Sequence, residues 1–212
     1  MVSKLRYLAL VVSTVVVTGC AAEAEGIAQR GEHLFNNNCT PCHGTDGGGK
    51  AEIAAPSIAG LEEWYVIAQL GKFKAGVRGT HPEDMPGMRM RPMSRTLERE
   101  GDMEAVADYI RYMRPKKGDV TVQGNVEKGK ELYATCAACH GPEGAGNKDL
   151  NAPPIRQMDD WYLLTQLHNF KHGLRGADPR DVTGMQMAPM AMGLADEQAM
   201  KDVVSYIKTF EN

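Results

Sequence analysis

The chain has 212 residues, 42% of them apolar, and a formal net charge of −3. That excludes the basic balance of a nucleic-acid binder and leaves room for one or two globular domains. Aromatics make up only 6%, few for cores of this size, so something other than Phe and Trp has to fill them.

Residues 1–20 read "MVSKLRYLALVVSTVVVTGC". Lys4 and Arg6 give a short positive start, and the apolar run from Tyr7 to Val17 has signal-peptide length but is too short to span a bilayer comfortably. One reading is a secretory signal cut near Ala21. The other rests on "VTGC", which resembles the lipobox of bacterial lipoproteins and implies a lipid on Cys20, with residues 21–25 as a tether. Either way the mature chain works outside the cytoplasm, and the lipoprotein reading puts it on the periplasmic side of a bacterial membrane.

Cys136 follows Cys39 by 97 residues, and the same offset maps His43 on His140, Pro56 on Pro153, Trp64 on Trp161 and Arg78 on Arg175. It continues through Met88, Met90 and Met93 on Met185, Met187 and Met190, to Tyr109 on Tyr206. Ahead of the cysteines, a gap of one residue aligns Gly31 with Gly129 and Phe35 with Tyr133. The chain is therefore a duplicated domain, with halves at 26–114 and 122–212 and a polar linker at 115–121. Each half carries three helical signals and no convincing strand. One precedes the cysteines, one starts near Trp64 or Trp161, and one closes the half. The last has Val106, Tyr109, Ile110 and Met113, or Val203, Tyr206, Ile207 and Phe210, at helical spacing. The fold class is all-α. Units this small, with this much loop, bury too little surface alone, and a large apolar group is expected at each centre.

"CTPCH" (39–43) and "CAACH" (136–140) show what that group is. A zinc site asks for a second ligand pair close by, and a thioredoxin-like motif for a β-α-β context; neither half offers either. Cys-x-x-Cys-His places two thiols to form thioethers with one haem and an imidazole beneath its iron. Two copies predict two covalent haem c groups, on Cys39/Cys42 with His43 and on Cys136/Cys139 with His140.

With these motifs the chain resembles the class I cytochromes c, in particular the tandem diheme cytochromes c-four, over nearly its whole mature length. The resemblance implies that Gly31 and Phe35 pack on Tyr109, and Gly129 and Tyr133 on Tyr206. It implies that the Pro56 and Pro153 carbonyls accept from the ligating histidines. It also implies a methionine as sixth iron ligand shortly before the last helix. Seven residues before Leu97 and Leu194 stand Met90 and Met187, preferred over Met93 and Met190. The other methionines are read as core filler, and His33, His81, His168 and His172 as surface residues. Arg78, Arg175, Trp64 and Trp161 are placed to meet haem propionates; the alternative is packing for the Trp and solvation for the Arg.

His/Met ligation fills both axial positions, which favours an electron carrier over an oxygen or peroxide enzyme. The expected partners are a quinol-oxidising complex or dehydrogenase as donor and a terminal oxidase or reductase as acceptor. The competing reading is a diheme enzyme such as a peroxidase or thiosulfate dehydrogenase, which needs a haem that opens or an unusual distal ligand. The first methionine segment carries Arg89, Arg91, Arg95 and Arg99, whereas the second is apolar and carries no positive charge. Unlike haems are expected, with the arginines favouring ferrous iron in the first.

Overall fold

The computed structural model describes residues 26–116 and 118–210; Cys20 and the leader lie outside them. Among the described residues each half contributes one short 3-10 turn, Ala51–Ile53 or Lys148–Leu150, and four main helices. In the first half these are α1 (26–43), α2 (Glu63–Lys74), α3 (Met85–Arg95) and α4 (Asp102–Tyr112). In the second they are α5 (Val126–His140), α6 (Asp160–Lys171), α7 (Val182–Met192) and α8 (Glu197–Ile207). Among the described residues there is no strand, only the isolated bridges Lys50–Ala55 and Asn147–Ala152.

The first and last helices of each half cross at a glycine. A Cβ on Gly31 would overlap the Ala105 carbonyl, and one on Gly129 the Asp202 carbonyl, so only glycine permits this approach. The neighbouring aromatics then meet: Phe35 and Tyr109 ring centres lie 5.3 Å apart, and Tyr133 and Tyr206 5.5 Å apart. These are the contacts that the resemblance implies.

The one-residue gap between the repeats has a structural counterpart. α1 carries a π turn at Phe35–Cys39, whereas α5 is α-helical throughout. Gly31 to Cys39 is one residue longer than Gly129 to Cys136. The wider turn absorbs that residue, so the glycine, the aromatic and the cysteines keep their faces in both halves.

The methionine segments differ from expectation. They are helices, not loops, although each contains an internal proline (Pro92 in α3, Pro189 in α7). A helix-interior proline forfeits one backbone hydrogen bond. Each helix is anchored at its start by an aspartate: Asp84 accepts from the Gly87 N–H at 3.1 Å, and Asp181 from the Gly184 N–H at 2.9 Å. At the far end Lys74 and Lys171, repeat partners, donate to the Leu97 and Leu194 carbonyls. They tie α2 to the segment between α3 and α4, and α6 to the segment between α7 and α8.

The halves meet through α2 and α6 and the segments around them. Lys72 pairs with Asp181 of the other half at 2.6 Å, where the aspartate side chain is 1% exposed; the Lys72 ammonium also donates to Thr183. Gln157 donates to the Gly60 carbonyl at 2.9 Å. The linker is pinned by Asp160, which accepts from the backbone N–H groups of Thr121 and Val122 at 2.5 and 2.6 Å. Removing one partner of a buried ion pair strands the other charge. Lys72→Met is therefore expected to destabilise the protein by roughly 3 kcal/mol, and Lys72→Met/Asp181→Asn, which removes the stranded charge but keeps an oxygen for the Gly184 N–H, to recover most of it, as urea unfolding would show.

Candidate haem sites

In the first half the end of α1 delivers Cys39, Cys42 and His43 to one wall of a cavity of ≈ 430 Å³, and α3 supplies Met90 and Met93 from another. In the second half Cys136, Cys139 and His140 line a cavity of ≈ 230 Å³ that Met187 and Met190 also border. None of the four cysteines is paired in a disulfide. Burial, and secondarily the Cys42 thiol, pushes Cys39 up to about 11; burial likewise raises Cys136. Redox-active Cys-x-x-Cys motifs show the opposite, a depressed thiol.

Each histidine is buried and fixed by a single bond. His43 Nδ1 lies 2.8 Å from the Pro56 carbonyl oxygen, and His140 Nδ1 2.9 Å from that of Pro153. A carbonyl only accepts, so Nδ1 carries the proton and Nε2 keeps its lone pair. Burial lowers both imidazole pKa values, more than the carbonyl bond raises them, which keeps the rings neutral. The prolines are brought to the histidines by matching loops, in which Gly49 donates to the His43 carbonyl and Gly146 to that of His140.

Arg78 and Arg175 are neither solvated nor confined to their own halves. They are 6% and 9% exposed and share two glutamines across the domain boundary. Gln69 accepts from Arg78 at 2.9 Å and from Arg175 at 3.0 Å. Gln166 accepts from Arg175 at 2.8 Å and from Arg78 at 3.0 Å. Arg78 also donates to the Tyr162 hydroxyl at 3.0 Å, and each guanidinium stacks on a phenylalanine, Phe73 or Phe170, at 4.5 Å. These bonding partners are all neutral, and the buried Nε of each arginine has no hydrogen-bond partner. Two buried cations with spare donors facing two cavities call for anionic groups there.

The tryptophans cross over. Trp161 borders the first cavity and Trp64 the second, while Tyr65 and Tyr162 border both. No sequence signal pointed to Gln69, Gln166, Tyr65 or Tyr162 beyond their place in the repeat. Met85 and Met192, whose repeat counterparts are Val182 and Arg95, are exposed and border neither cavity. The four remaining histidines also stay out of both linings, and His33, His168 and His172 are exposed.

Residues 28–114 and 126–211 each match the Cytochrome c family. The chain belongs to that family. It is 29% identical to cytochrome c4 of Azotobacter vinelandii over 215 residues, 96% of this chain and 98% of the relative. It is 31% identical over 178 residues to the thiosulfate dehydrogenase electron acceptor of Stutzerimonas stutzeri, covering 77% of each. The crystal structure of reduced cytochrome c4 from Pseudomonas stutzeri superposes with a TM-score of 0.68 at 26% identity, covering 87% of this chain and 98% of that one. The protein is a cytochrome c4-like electron carrier with two covalently bound haem c groups.

The residues gathered in each cavity fit that cofactor. Thiols and a neutral imidazole with a free Nε2 stand together, and unpartnered guanidinium nitrogens suit propionates. Ferric iron carries one more positive charge than ferrous, so a nearby cation disfavours oxidation. At an effective dielectric of about 20, a charge ~8 Å away is worth roughly 2 kcal/mol. Because Arg78 borders the first cavity and Arg175 the second, Arg78→Gln is expected to lower the first haem midpoint more than the second, as a spectroelectrochemical titration would show; equal shifts in both would place the guanidinium midway between them.

Proposed function

We propose that this cytochrome c is held on the periplasmic side of a bacterial membrane by a lipid on Cys20 and passes electrons from a respiratory donor complex or dehydrogenase to a terminal oxidase or reductase. The observation that carries the electron-carrier reading is the joining of two cavities, each with a Cys-x-x-Cys-His and a facing methionine, by one buried network. Bound there, haem cycles between ferric and ferrous iron. The chain does the rest. Cys39/Cys42 and Cys136/Cys139 fix the groups covalently. His43 and His140, oriented by Pro56 and Pro153, would be iron ligands, and Met90 and Met187 would supply the further ligands. Arg78 and Arg175 would pair with propionates, beside Tyr65 and Tyr162, in the buried junction between the domains.

The methionine register draws support from the second half, where Met187 packs on the core while Met190 is 43% exposed. The reading as an enzyme has less to rest on: beyond the two motif pairs there is no cysteine among the described residues, and no further histidine borders a cavity. The relative whose name makes it an electron acceptor of thiosulfate dehydrogenase supports a dehydrogenase as one donor class. No helix among the described residues is long and apolar enough to cross a membrane, so anchoring falls to the leader.

Denatured, acetone-extracted protein should retain two haems per chain. Met187→Ala should abolish the near-infrared iron–sulfur band of one haem, and Met190→Ala should leave it; the reverse result would move the ligand by one helical turn. Cys20→Ser should release the protein from membranes or block its processing, since firm anchoring needs more than one acyl chain. Fully soluble wild-type protein with a mature start beyond residue 20 would refute the anchor.

A further inference from the structure

Asp159 occupies the cap position at the start of α6, yet its side chain caps nothing there. Its Oδ2 instead accepts the backbone N–H of Ser57, in the other half, at 2.7 Å. That N–H belongs to the Pro56–Ser57 peptide, whose carbonyl oxygen is the acceptor for His43 Nδ1. A carboxylate, a peptide group and an imidazole are thus in line, with each hydrogen bond polarising the next.

The repeat shows that this arrangement is one-sided. Pro154 stands where Ser57 stands in the first half, and proline has no N–H to donate. The counterpart of Asp159 is Glu62, which is exposed, whereas Asp159 is 9% exposed. Both His–Pro bonds have nearly the same length, so geometry at the histidines does not separate the sites; the charge behind the peptide does.

We propose that Asp159 is a positioning residue for the first haem, acting from the second domain through the Ser57–Pro56 peptide to strengthen the carbonyl that holds His43. A stronger acceptor draws the Nδ1 proton, makes Nε2 a more basic ligand and favours ferric iron. Asp159 therefore lowers the first midpoint, against the arginines of α3, and couples that midpoint to domain contact. Burial raises the Asp159 pKa, opposed by the Ser57 N–H and the Lys208 ammonium.

This inference rests on His43 being an iron ligand, and the test separates the two. The full-length holoprotein and its Asp159→Asn, Ser57→Pro and Glu62→Gln variants are titrated, with each midpoint assigned to its haem by paramagnetic NMR. Asp159→Asn should raise the first midpoint by on the order of a tenfold change in the ferric-to-ferrous ratio, about 59 mV for one electron, and leave the second fixed. Ser57→Pro keeps the carboxylate but removes the N–H, copying the second half. It should move the first midpoint the same way and shift the His43 Nδ1 proton resonance upfield. Glu62→Gln should move neither. An unmoved first midpoint in Ser57→Pro, or equal shifts of both haems, overturns the relay. Absence of a His/Met spectrum from the wild type would instead overturn the ligand assignment beneath it.

Discussion

Two guanidinium groups buried between two domains set the terms for the rest of this molecule. Like charges out of water are costly unless each donor finds an acceptor and each charge a counter-charge. Gln69 and Gln166 resolve the first requirement by each serving both arginines, which forces α2 and α6 into one relative placement. In the proposed reading, haem propionates meet the second requirement. On that reading haem binding and domain docking are parts of the same electrostatic problem, and the residues around the arginines line both cavities.

Duplication has produced two sites with the same covalent chemistry and different surroundings. The cysteines, the histidines and their proline carbonyls are matched to within 0.1 Å in the His–Pro bonds. The differences lie behind them, in Ser57 against Pro154, in the arginine-bearing α3 against the uncharged α7, and in cavities of unequal volume. A carrier needs unequal centres if electrons are to have a preferred residence, and small changes outside the ligand set are enough to provide that.

Much of this was legible in the sequence because a repeat shows everything twice. The helices that carry periodic apolar faces, the two attachment motifs and the glycine–aromatic crossings all arise from residues whose spacing is local. The gap ahead of Cys39 was visible as well, and the π turn is its physical form. What escaped was of two kinds. Helices α3 and α7 contain Pro86, Pro92, Gly87, Pro189 and Gly184, residues that ordinarily interrupt a helix; here an aspartate cap and packing against the cavity outweigh that local preference. The domain junction escaped because the offset of 97 pairs each residue with its equivalent, not with its neighbour. Nothing in the spacing says that Arg78 meets Gln166, or that Trp64 borders the second cavity.

The ion pair between Lys72 and Asp181 has no mirror image. The equivalent positions are Asn169 and Asp84, so an interface whose arginine–glutamine centre is close to two-fold symmetric carries this ion pair on one side only. Two separate chains joined by such a face would have to find each other, and each lost contact would weaken the pairing in proportion. Here residues 115–121 tether the halves, and a short linker holds them at a high effective concentration. Tethering removes the need for affinity and leaves the interface to specify alignment alone. Half of its former symmetry then becomes dispensable, and the freed positions can diverge toward making the two ends of the molecule chemically distinct.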